Sequence, residues 1–475
     1  MQQKTLHRCI LHIIAATTLA SVCYNLNFEV ANKSNTASKL NATVAGWLIA
    51  DLLPESLHYA KLDWILRFIL LMTATFYVAY ISAKVYQFLF GPANYVHDIS
   101  GKDLGYHAAP GKDRREILNA ALRRRNIGNI PPPYPNGWYE VMRSCDLPKK
   151  AVKAVSVIGQ NFAVFRGESG NVSIVDAYCP HLGANLGVGG RVQGNCIECP
   201  FHGWQFDGET GQCVKIPYAE KIPAFAKTKV WPSTECHELI YVWYDAEGRD
   251  PKYELEEIEE LKTGQWTYRG RVVHYIAAHI EEISENGADV AHLTALHQPG
   301  VTGGGGLDFA ETWLSKLIKH NWTATWKSKT ESLSHIGHMS LHMTNTILGI
   351  PVPLLDVFVE SDQIGPSIVK LRFKIFLGTG VWVQTVVPEE PLYQRMTNYV
   401  FADWWIPTFA ITSFLKGMGI QIDRDVNVWS NKTYLSKPLL VKEDRLILEH
   451  RRWYSQFYSE SSQKFSFTQA KDLTW

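Results

Sequence analysis

The chain has 475 residues, of which 46% are hydrophobic and 20% charged, and its formal net charge is +1. This length suffices for two or three domains, and the near-neutral charge argues against the basic surface that nucleic-acid binding requires. The eight cysteines are too sparse for a disulfide scaffold of this size.

Residues 1–61 are predicted to be a membrane-associated or signal-like region. A basic start is followed by an apolar run between Cys9 and Cys23. A run of this length is marginal for a membrane span and is typical of the apolar core of a signal peptide or of a weak anchor. A cleaved signal and a second span therefore both remain open.

Residues 62–90 are predicted to form a transmembrane helix. The stretch Phe68–Ala83 contains no charged residue and is flanked by Arg67 and Lys84, whose side chains can extend to the two interfaces. About 20 apolar residues suffice to cross a ~30 Å hydrocarbon core. A buried core helix is the alternative interpretation.

The basic residues that follow this helix predict its orientation. From Lys84 to Arg125, both included, there are eight Lys and Arg residues. Because such residues accumulate on the cytosolic side of membranes, we expect a single-pass protein whose later domains are cytosolic. We expect the membrane to be that of the endoplasmic reticulum.

Three segments make up the rest of the chain. Residues 91–136 are rich in proline and basic residues and are predicted to be a linker, since dense proline opposes helix and sheet. Residues 137–250 carry short alternating runs separated by glycine turns, which predict a small antiparallel β domain. Residues 251–475 form a larger domain with strand-like runs and helix-like segments at 281–297 and 438–458.

The most specific motif lies within the β domain. Cys179 and His181 are followed, after 17 residues, by Cys199 and His202. Two thiolates and two imidazoles are the ligand set of a Rieske [2Fe–2S] centre, in which two His replace two Cys on one iron. A zinc site or a redox dithiol that includes Cys196 is the alternative, but neither requires one Cys, one Pro and one His from each loop.

These residues resemble the Rieske family, and two positions place the chain within it. Respiratory Rieske proteins carry an additional Cys in each loop, and the two form a disulfide. The matching positions here are Ala184 and Phe201, so the chain is similar to the oxygenase and ferredoxin branch. This resemblance implies a one-electron relay, which needs an acceptor, and it leaves Cys196 as a structural thiol.

A second motif about 90 residues later offers that acceptor. Asp289, His292 and His297 form the pattern Asp-x2-His-x4-His. Residues five apart on a straight helix point about 140° away from each other, so the helix is predicted to end or distort between the two His. Ordinary core or surface histidines would explain an isolated pair equally well.

The order of the two motifs resembles the Rieske non-haem iron oxygenases. The resemblance implies a mononuclear Fe²⁺ held by His292, His297 and one carboxylate, an arrangement that leaves positions open for O₂. Asp425 matches the carboxylate that the family supplies late in the catalytic domain, and Asp423 is the second choice.

Asp289 has a separate role by the same resemblance. In the family this position bridges a His ligand of the mononuclear iron and a cluster His of the neighbouring subunit, here His292 and His202. The implied active unit is a head-to-tail ring, expected to be a homotrimer. No strand–Gly-x-Gly-x-x-Gly–helix pattern is recognisable, so electrons from NAD(P)H are expected to arrive through a separate reductase.

The whole arrangement resembles the Neverland-type sterol 7-desaturases of animals. A membrane segment, a Pro-rich linker and an Asn-Gly-Trp-Tyr stretch at 136–139 precede the Rieske motif. The resemblance implies an α+β fold with an N-terminal transmembrane helix, an antiparallel β Rieske domain and a helix-grip-like catalytic domain with a curved antiparallel sheet. It also implies that the chain uses O₂ to convert cholesterol to 7-dehydrocholesterol in steroid hormone synthesis, on a sterol taken from the membrane.

Two rival functions stay open at the level of sequence. A Rieske hydroxylase of another lipophilic substrate would carry the same iron motifs. A non-catalytic Rieske electron carrier would not need His292, His297 and Asp425. The apolar stretch Ile347–Val357 is expected either to line a sterol pocket or to pack in the core.

Overall fold

The computed structural model describes residues 55–96, 130–301, 304–307 and 317–464. The predictions for the apolar run between Cys9 and Cys23 and for the basic part of the linker lie outside these residues.

Helix α1 comprises Glu55–Phe90 and begins seven residues before the predicted start. Among the described residues, Trp64–Phe90 is the one helical segment long and apolar enough to cross a membrane, with 27 residues and a mean hydropathy of 1.7. At about 1.5 Å per residue it is ~40 Å long, which exceeds a ~30 Å hydrocarbon core. None of the span is buried, unlike a core helix of a soluble domain.

The region that contains the Cys–His motif consists of short strands. After β1 (Ala93–Val96), its strands are β2 (Gly137–Arg143), β3 (Val152–Val157), β4 (Gln160–Arg166), β5 (Val172–Asp176), β6 (Arg191–Gln193), β7 (Cys196–Glu198), β8 (Gln205–Asp207), β9 (Cys213–Lys215), β10 (Val230–Trp231), β11 (Ser233–Cys236) and β12 (Leu239–Tyr244). They form three sheets, with orders β11-β12-β2, β10-β5-β4-β3 and β6-β7-β8-β9. All strand pairs in these sheets are antiparallel.

The larger domain combines long strands with helices. Its elements are α2 (Glu259–Lys262), β13 (Trp266–Ile276), α3 (Ile280–Ser284), α4 (Val290–His297), β14 (Ile318–Ser328), β15 (Ile336–Ile347), β16 (Ile350–Pro351), β17 (Val357–Ile364), β18 (Ile368–Ile375), β19 (Gly378–Glu390), β20 (Tyr393–Asp403), α5 (Thr408–Trp429) and α6 (Arg445–Tyr454). Its strands join β1 in one sheet of order β1-β13-β20-β19-β18-β17-β15-β14, and β16 pairs with β15. Within the part of this sheet that the structure describes, only the β1–β13 pair is parallel.

The helix-like segment predicted at 281–297 is interrupted before both histidines. Helix α3 continues into a 3-10 turn at Glu285–Gly287, and α4 then begins after Asp289, whose side chain accepts a hydrogen bond from the backbone N–H of His292. The prediction that the helix ends or distorts between His292 and His297 was wrong, because α4 is continuous from one to the other.

A buried ionic cluster joins the small β domain to the large sheet. Glu140 of β2 is 1% exposed and accepts hydrogen bonds from Arg395 (2.7 Å) and Tyr399 (3.2 Å), both on β20. A buried carboxylate of this kind is stable only when it is paired and hydrogen-bonded. The cluster therefore fixes how the two domains dock.

Candidate iron centres

The two Cys–His loops repeat the same backbone hydrogen bonds. The N–H groups of Cys179 and Cys199 each donate to the carbonyl five residues later, at 2.9 and 2.8 Å. Each Cys carbonyl in turn accepts from a glycine four residues later, Gly183 or Gly203. These glycines have φ of 73° and 71°, in the left-handed region that glycine adopts without strain. The repeat in the sequence is thus a repeat in geometry.

The two predicted cysteine ligands lie beside each other where these loops meet, and so do the two histidines. Both thiols are buried and free. Burial raises the pKa of Cys179 to about 11, and the neighbouring Cys199 adds to the effect, so a bound cation is needed to hold the thiolates. The rings of His181 and His202 lie 4.8 Å apart between centroids.

The environment of His202 fits an iron–sulfur cluster. Its Nδ1 is buried and has no hydrogen-bond partner among the described residues, although buried polar atoms are normally paired. A metal ion at this nitrogen would satisfy it. The two thiolates and two imidazoles therefore fit the [2Fe–2S] group, and the individual ligands stay a prediction.

Apolar side chains surround these loops and face outward. The exposed residues of this surface, named here the cluster rim, are Tyr178, Leu182, Val188, Phe201 and Tyr218. The indole of Trp204 stacks on His181 at 4.6 Å and donates to the hydroxyl of Tyr218 (2.8 Å). Because contiguous exposed apolar surface commonly marks an interaction site, the cluster rim is a candidate docking surface.

The second motif forms a compact three-residue group with a residue 128 positions away. One ligand atom each of His292, His297 and Asp425 lies within 4.8 Å of the others. Nε2 of His297 is 3.0 Å and Nε2 of His292 4.0 Å from Oδ1 of Asp425. Two His and one carboxylate are the facial triad of non-haem Fe(II) oxygenases.

Neighbouring groups set the tautomers of both rings. Nδ1 of His297 lies 2.6 Å from the amide oxygen of Gln421, and Nδ1 of His292 contacts the backbone carbonyl of Asp289. Since both partners accept hydrogen bonds, both Nδ1 atoms carry hydrogen. Each Nε2 is then the nitrogen that can present a lone pair to a metal, as is usual for His ligands oriented by a second group.

The electrostatics of this group favour a cation at its centre. Burial lowers the pKa of His292. Burial also lowers that of His297, but Asp425 and Gln421 outweigh it and raise the pKa above its ordinary value. Nε2 of His297 and the Asp425 carboxylate therefore share a positive charge, either a proton or a metal ion. The group fits mononuclear iron.

The structure separates the two aspartates that the sequence left open. Asp425 joins the His pair, whereas Asp423 lies 3.2 Å from Nε2 of His274, on β13. Residues 423 and 425 lie two apart on α5, and side chains two apart on a helix point in different directions. Asp425 is thus the carboxylate in reach, and its role as a ligand remains a prediction.

Asp289 contacts His292 in a way that the sequence did not indicate. Its carboxylate caps helix α4 through the His292 N–H, at 3.3 Å, and its carbonyl rather than its carboxylate meets the His292 ring. The second carboxylate oxygen takes no part in the cap. The predicted bridge to a neighbouring subunit is untested by this arrangement.

A cavity of about 380 Å³ lies between the sheet and helices α4 and α5, and the three-residue group forms part of its wall. Its volume falls within the ~300–1,000 Å³ of small-molecule sites. The lining is mainly apolar, with Leu341, Val359 and Phe373 among its members. Of the stretch Ile347–Val357, only Val357 lines the cavity; Leu348, Ile350 and Leu354 are exposed instead.

Two polar residues of the site escaped the sequence analysis. Gln421 orients His297, and the side-chain amide of Asn286 lies 3.1 Å from Nε2 of His292. Gln421 stands four residues before Asp425, a spacing that puts both on one helix face. This four-residue spacing points to Gln421 only when residues 408–429 are already known to form a helix.

Comparisons with known proteins agree with this geometry. A profile of the Rieske [2Fe–2S] domain matches residues 137–226, and one of the 3-ketosteroid 9alpha-hydroxylase C-terminal domain matches residues 242–458. The cholesterol 7-desaturase nvd of Xenopus laevis is 47% identical over 377 residues, which are 79% of this chain and 83% of that protein. The chain belongs to the cholesterol 7-desaturase family of Rieske oxygenases.

Two further comparisons extend this result. The cholesterol 7-desaturase nvd of Hemicentrotus pulcherrimus is 44% identical over 410 residues, covering 85% of this chain and 86% of that protein. The structure of the Pseudomonas putida CBB5 NdmA QL mutant with caffeine has a TM-score of 0.50 and 16% identity, and covers 74% of this chain and 98% of that one. At this identity the likeness shows the fold alone.

Family membership confirms several predictions made from the sequence. The α+β fold with a Rieske domain, the oxidoreductase class and the iron cofactors, a [2Fe–2S] cluster and non-haem iron, are those of this cholesterol 7-desaturase family. A reductase that delivers NAD(P)H electrons is typical of such oxygenases.

Proposed function

We propose that this protein removes two hydrogens from C7 and C8 of cholesterol and so forms 7-dehydrocholesterol. The observation that carries the proposal is the mainly apolar cavity whose wall holds His292, His297 and Asp425. In the balanced reaction, O₂ takes up the two substrate hydrogens together with two electrons and two protons, and two waters form. The electrons come from NAD(P)H through the reductase.

The residues of the chain have distinct tasks in this reaction. His292, His297 and Asp425 would hold the iron, which would supply O₂ activation when bound. Gln421 and the Asp289 carbonyl hold the His rings so that both Nε2 atoms face Asp425. The apolar walls exclude water from the site and accommodate a hydrocarbon ring system.

Electron delivery is proposed to occur between subunits. The carboxylate oxygen of Asp289 that takes no part in the helix cap is proposed to accept from His202 of a neighbouring chain. The apolar cluster rim supports such docking, because it surrounds His202 with exposed Phe201 and Tyr218. A head-to-tail homotrimer would repeat this contact at each interface.

The apolar helix α1 supports anchorage in a membrane, which we propose to be the endoplasmic reticulum with the iron domains in the cytosol. The Asn-x-Ser/Thr sites test this topology. Asn32 and Asn41 precede the helix, whereas Asn171, Asn321 and Asn431 follow it. We expect glycans only on the first pair, as judged by the mobility shift of Asn→Gln variants. A glycan on Asn171 or Asn321 would contradict the cytosolic placement.

Product analysis tests the proposed reaction. The iron-loaded full chain, a reductase, NADPH, O₂ and cholesterol should give a sterol that has lost two hydrogens, with a conjugated 5,7-diene absorbance. A product that has instead gained one oxygen would favour the hydroxylase alternative. Absence of any product, with both iron centres present and reducible, would overturn the assignment of a sterol substrate.

A further inference from the structure

The cavity floor changes from polar to apolar along the strands. One row of residues in register crosses strands β15, β17, β18 and β19. It consists of Gly337, Gln363, Val369 and Gln384. Side chains on one face recur every second residue, so Ser361 begins the next row and Val357 ends the floor. At ~3.3 Å per residue, Gln363 and Val357 lie about 20 Å apart along β17.

The polar row and the adjacent Ser361 offer side chains that can form further hydrogen bonds. Gln363 and Ser361 are buried, at 7% and 2% exposure, and both line the cavity together with Gln384. The side-chain nitrogen of Gln363 donates a hydrogen bond to the hydroxyl of Ser284. Within the described part of the chain, its other amide atom and the hydroxyl of Ser361 have no hydrogen-bond partner. Buried polar groups without partners are costly, so a ligand that pairs with them gains specificity.

Groups behind the row hold Gln363 in place. The hydroxyl of Ser284 lies between the Gln363 amide and Nε2 of His450, which is 3.4 Å away. His450 is fully buried, and burial lowers its pKa to about 3, so it is a neutral partner at physiological pH. The amide therefore has a fixed orientation toward the cavity.

The iron ligands reach from the polar row to the row of Met343. The His297 carbonyl accepts a hydrogen bond from Trp322, which pairs with Met343 across β14 and β15. Ser284 stands two residues before Asn286, whose side-chain amide is 3.1 Å from Nε2 of His292. Met343 and Val357, which are in register, form the apolar end of the cavity floor. A ligand that places its polar group at Gln363 therefore places its neighbouring atoms near the iron ligands and its far end among apolar side chains.

We propose that Gln363, assisted by Ser361, binds the 3-hydroxyl of the sterol and thereby selects which carbon faces the iron. The inference rests on the proposed sterol substrate and adds the orientation in which it binds. A sterol carries its one hydroxyl on the first ring, C7 on the second ring and its alkyl chain at the opposite end. The cavity matches this order, with the polar row, the iron ligands and the Met343–Val357 end in sequence.

Sterol competition on the full-length, iron-loaded protein in detergent tests this orientation. The measurement compares the affinity for cholesterol with that for cholest-5-ene, which lacks only the hydroxyl. We expect the wild type to prefer cholesterol by about tenfold or more, since one buried hydrogen bond is worth about that much. Gln363→Leu should bring the ratio close to one while leaving the affinity for cholest-5-ene unchanged. Ser361→Ala should lower the ratio in part.

A matched control separates lost hydrogen bonding from altered shape. Val369→Ala lies in the same row between the two amides, and it should weaken both sterols alike and keep the ratio. The cluster absorption spectrum verifies folding of each variant. An undiminished ratio in both Gln363→Leu and Ser361→Ala would overturn the assignment of the hydroxyl site. A wild type that binds neither sterol would instead overturn the sterol substrate, and the inference with it.

Discussion

Gln421 illustrates how one amide governs a metal ligand. Its oxygen lies 2.6 Å from Nδ1 of His297 and so fixes the ring that meets Asp425. We expect Gln421→Leu to lower the affinity for the mononuclear iron by about 10–100-fold. Gln421→Glu retains an acceptor and should restore most of it. Iron titration monitors the site, and equal affinities in the two variants would show that the hydrogen bond is unimportant.

Glu281 predicts a pH dependence of stability away from the iron sites. Burial raises its pKa from 4.5 to about 7, although Tyr458 donates a hydrogen bond to it. Between these pH values the unfolded chain ionises and the folded chain does not. The free energy of unfolding contributed by this residue therefore falls as pH rises from 4.5 to 7 and remains reduced above.

Replacement of Glu281 by Gln should remove this dependence. The variant is expected to equal the wild type near pH 4.5 and to exceed its stability at pH 8, by up to about 3 kcal/mol, since each pKa unit corresponds to about 1.4 kcal/mol. Thermal unfolding at both pH values measures the difference. A variant that is less stable than the wild type at pH 8 would show that Glu281 is ionised in the fold.

At the scale of elements, helix α4 depends on Asp289 for its start, and the proposed electron bridge depends on the same side chain. The two roles can be separated. Asn caps a helix as well as Asp does, so Asp289→Asn should leave stability within about 0.5 kcal/mol of wild type but slow reduction of the mononuclear iron. Asp289→Ala should also lose about 1 kcal/mol of stability.

Stopped-flow reduction of the iron-loaded protein distinguishes these outcomes, with thermal unfolding as the companion measurement. If Asp289→Asn transfers electrons at the wild-type rate, the residue is only a helix cap.

The helix that carries Asp425 is the part of the site that the sequence did not predict. Both metal motifs were recognisable, because each is a local spacing of Cys or His. Helix α5 was not predicted, since its 22 residues include two glycines and several β-branched residues of low helix propensity, and packing on the sheet stabilises it. The choice of Asp425 over Asp423 and the role of Gln421 depend on that helix, so they required the structure.

At the scale of the whole molecule, the docking of the Rieske domain depends on the Glu140 cluster. Arg395→Leu would leave this carboxylate buried without its cation, and we expect a loss of about 3–5 kcal/mol. The apparent unfolding temperature, followed by bleaching of the cluster, measures it. The pair of Arg372 with Glu260, more exposed at 46% and 26%, is the control, and Arg372→Leu should cost less than about 1 kcal/mol. Equal losses in the two variants would contradict a special role for the cluster.

Two separate iron sites in one chain are the central claim, and iron stoichiometry tests it most directly. The reconstituted wild type should hold about three iron atoms per chain, two in the cluster and one in the triad. Asp425→Ala should hold about two, keep the Rieske spectrum of the wild type and form no sterol product. Loss of the cluster spectrum in Asp425→Ala, or retention of all three irons, would contradict the assignment.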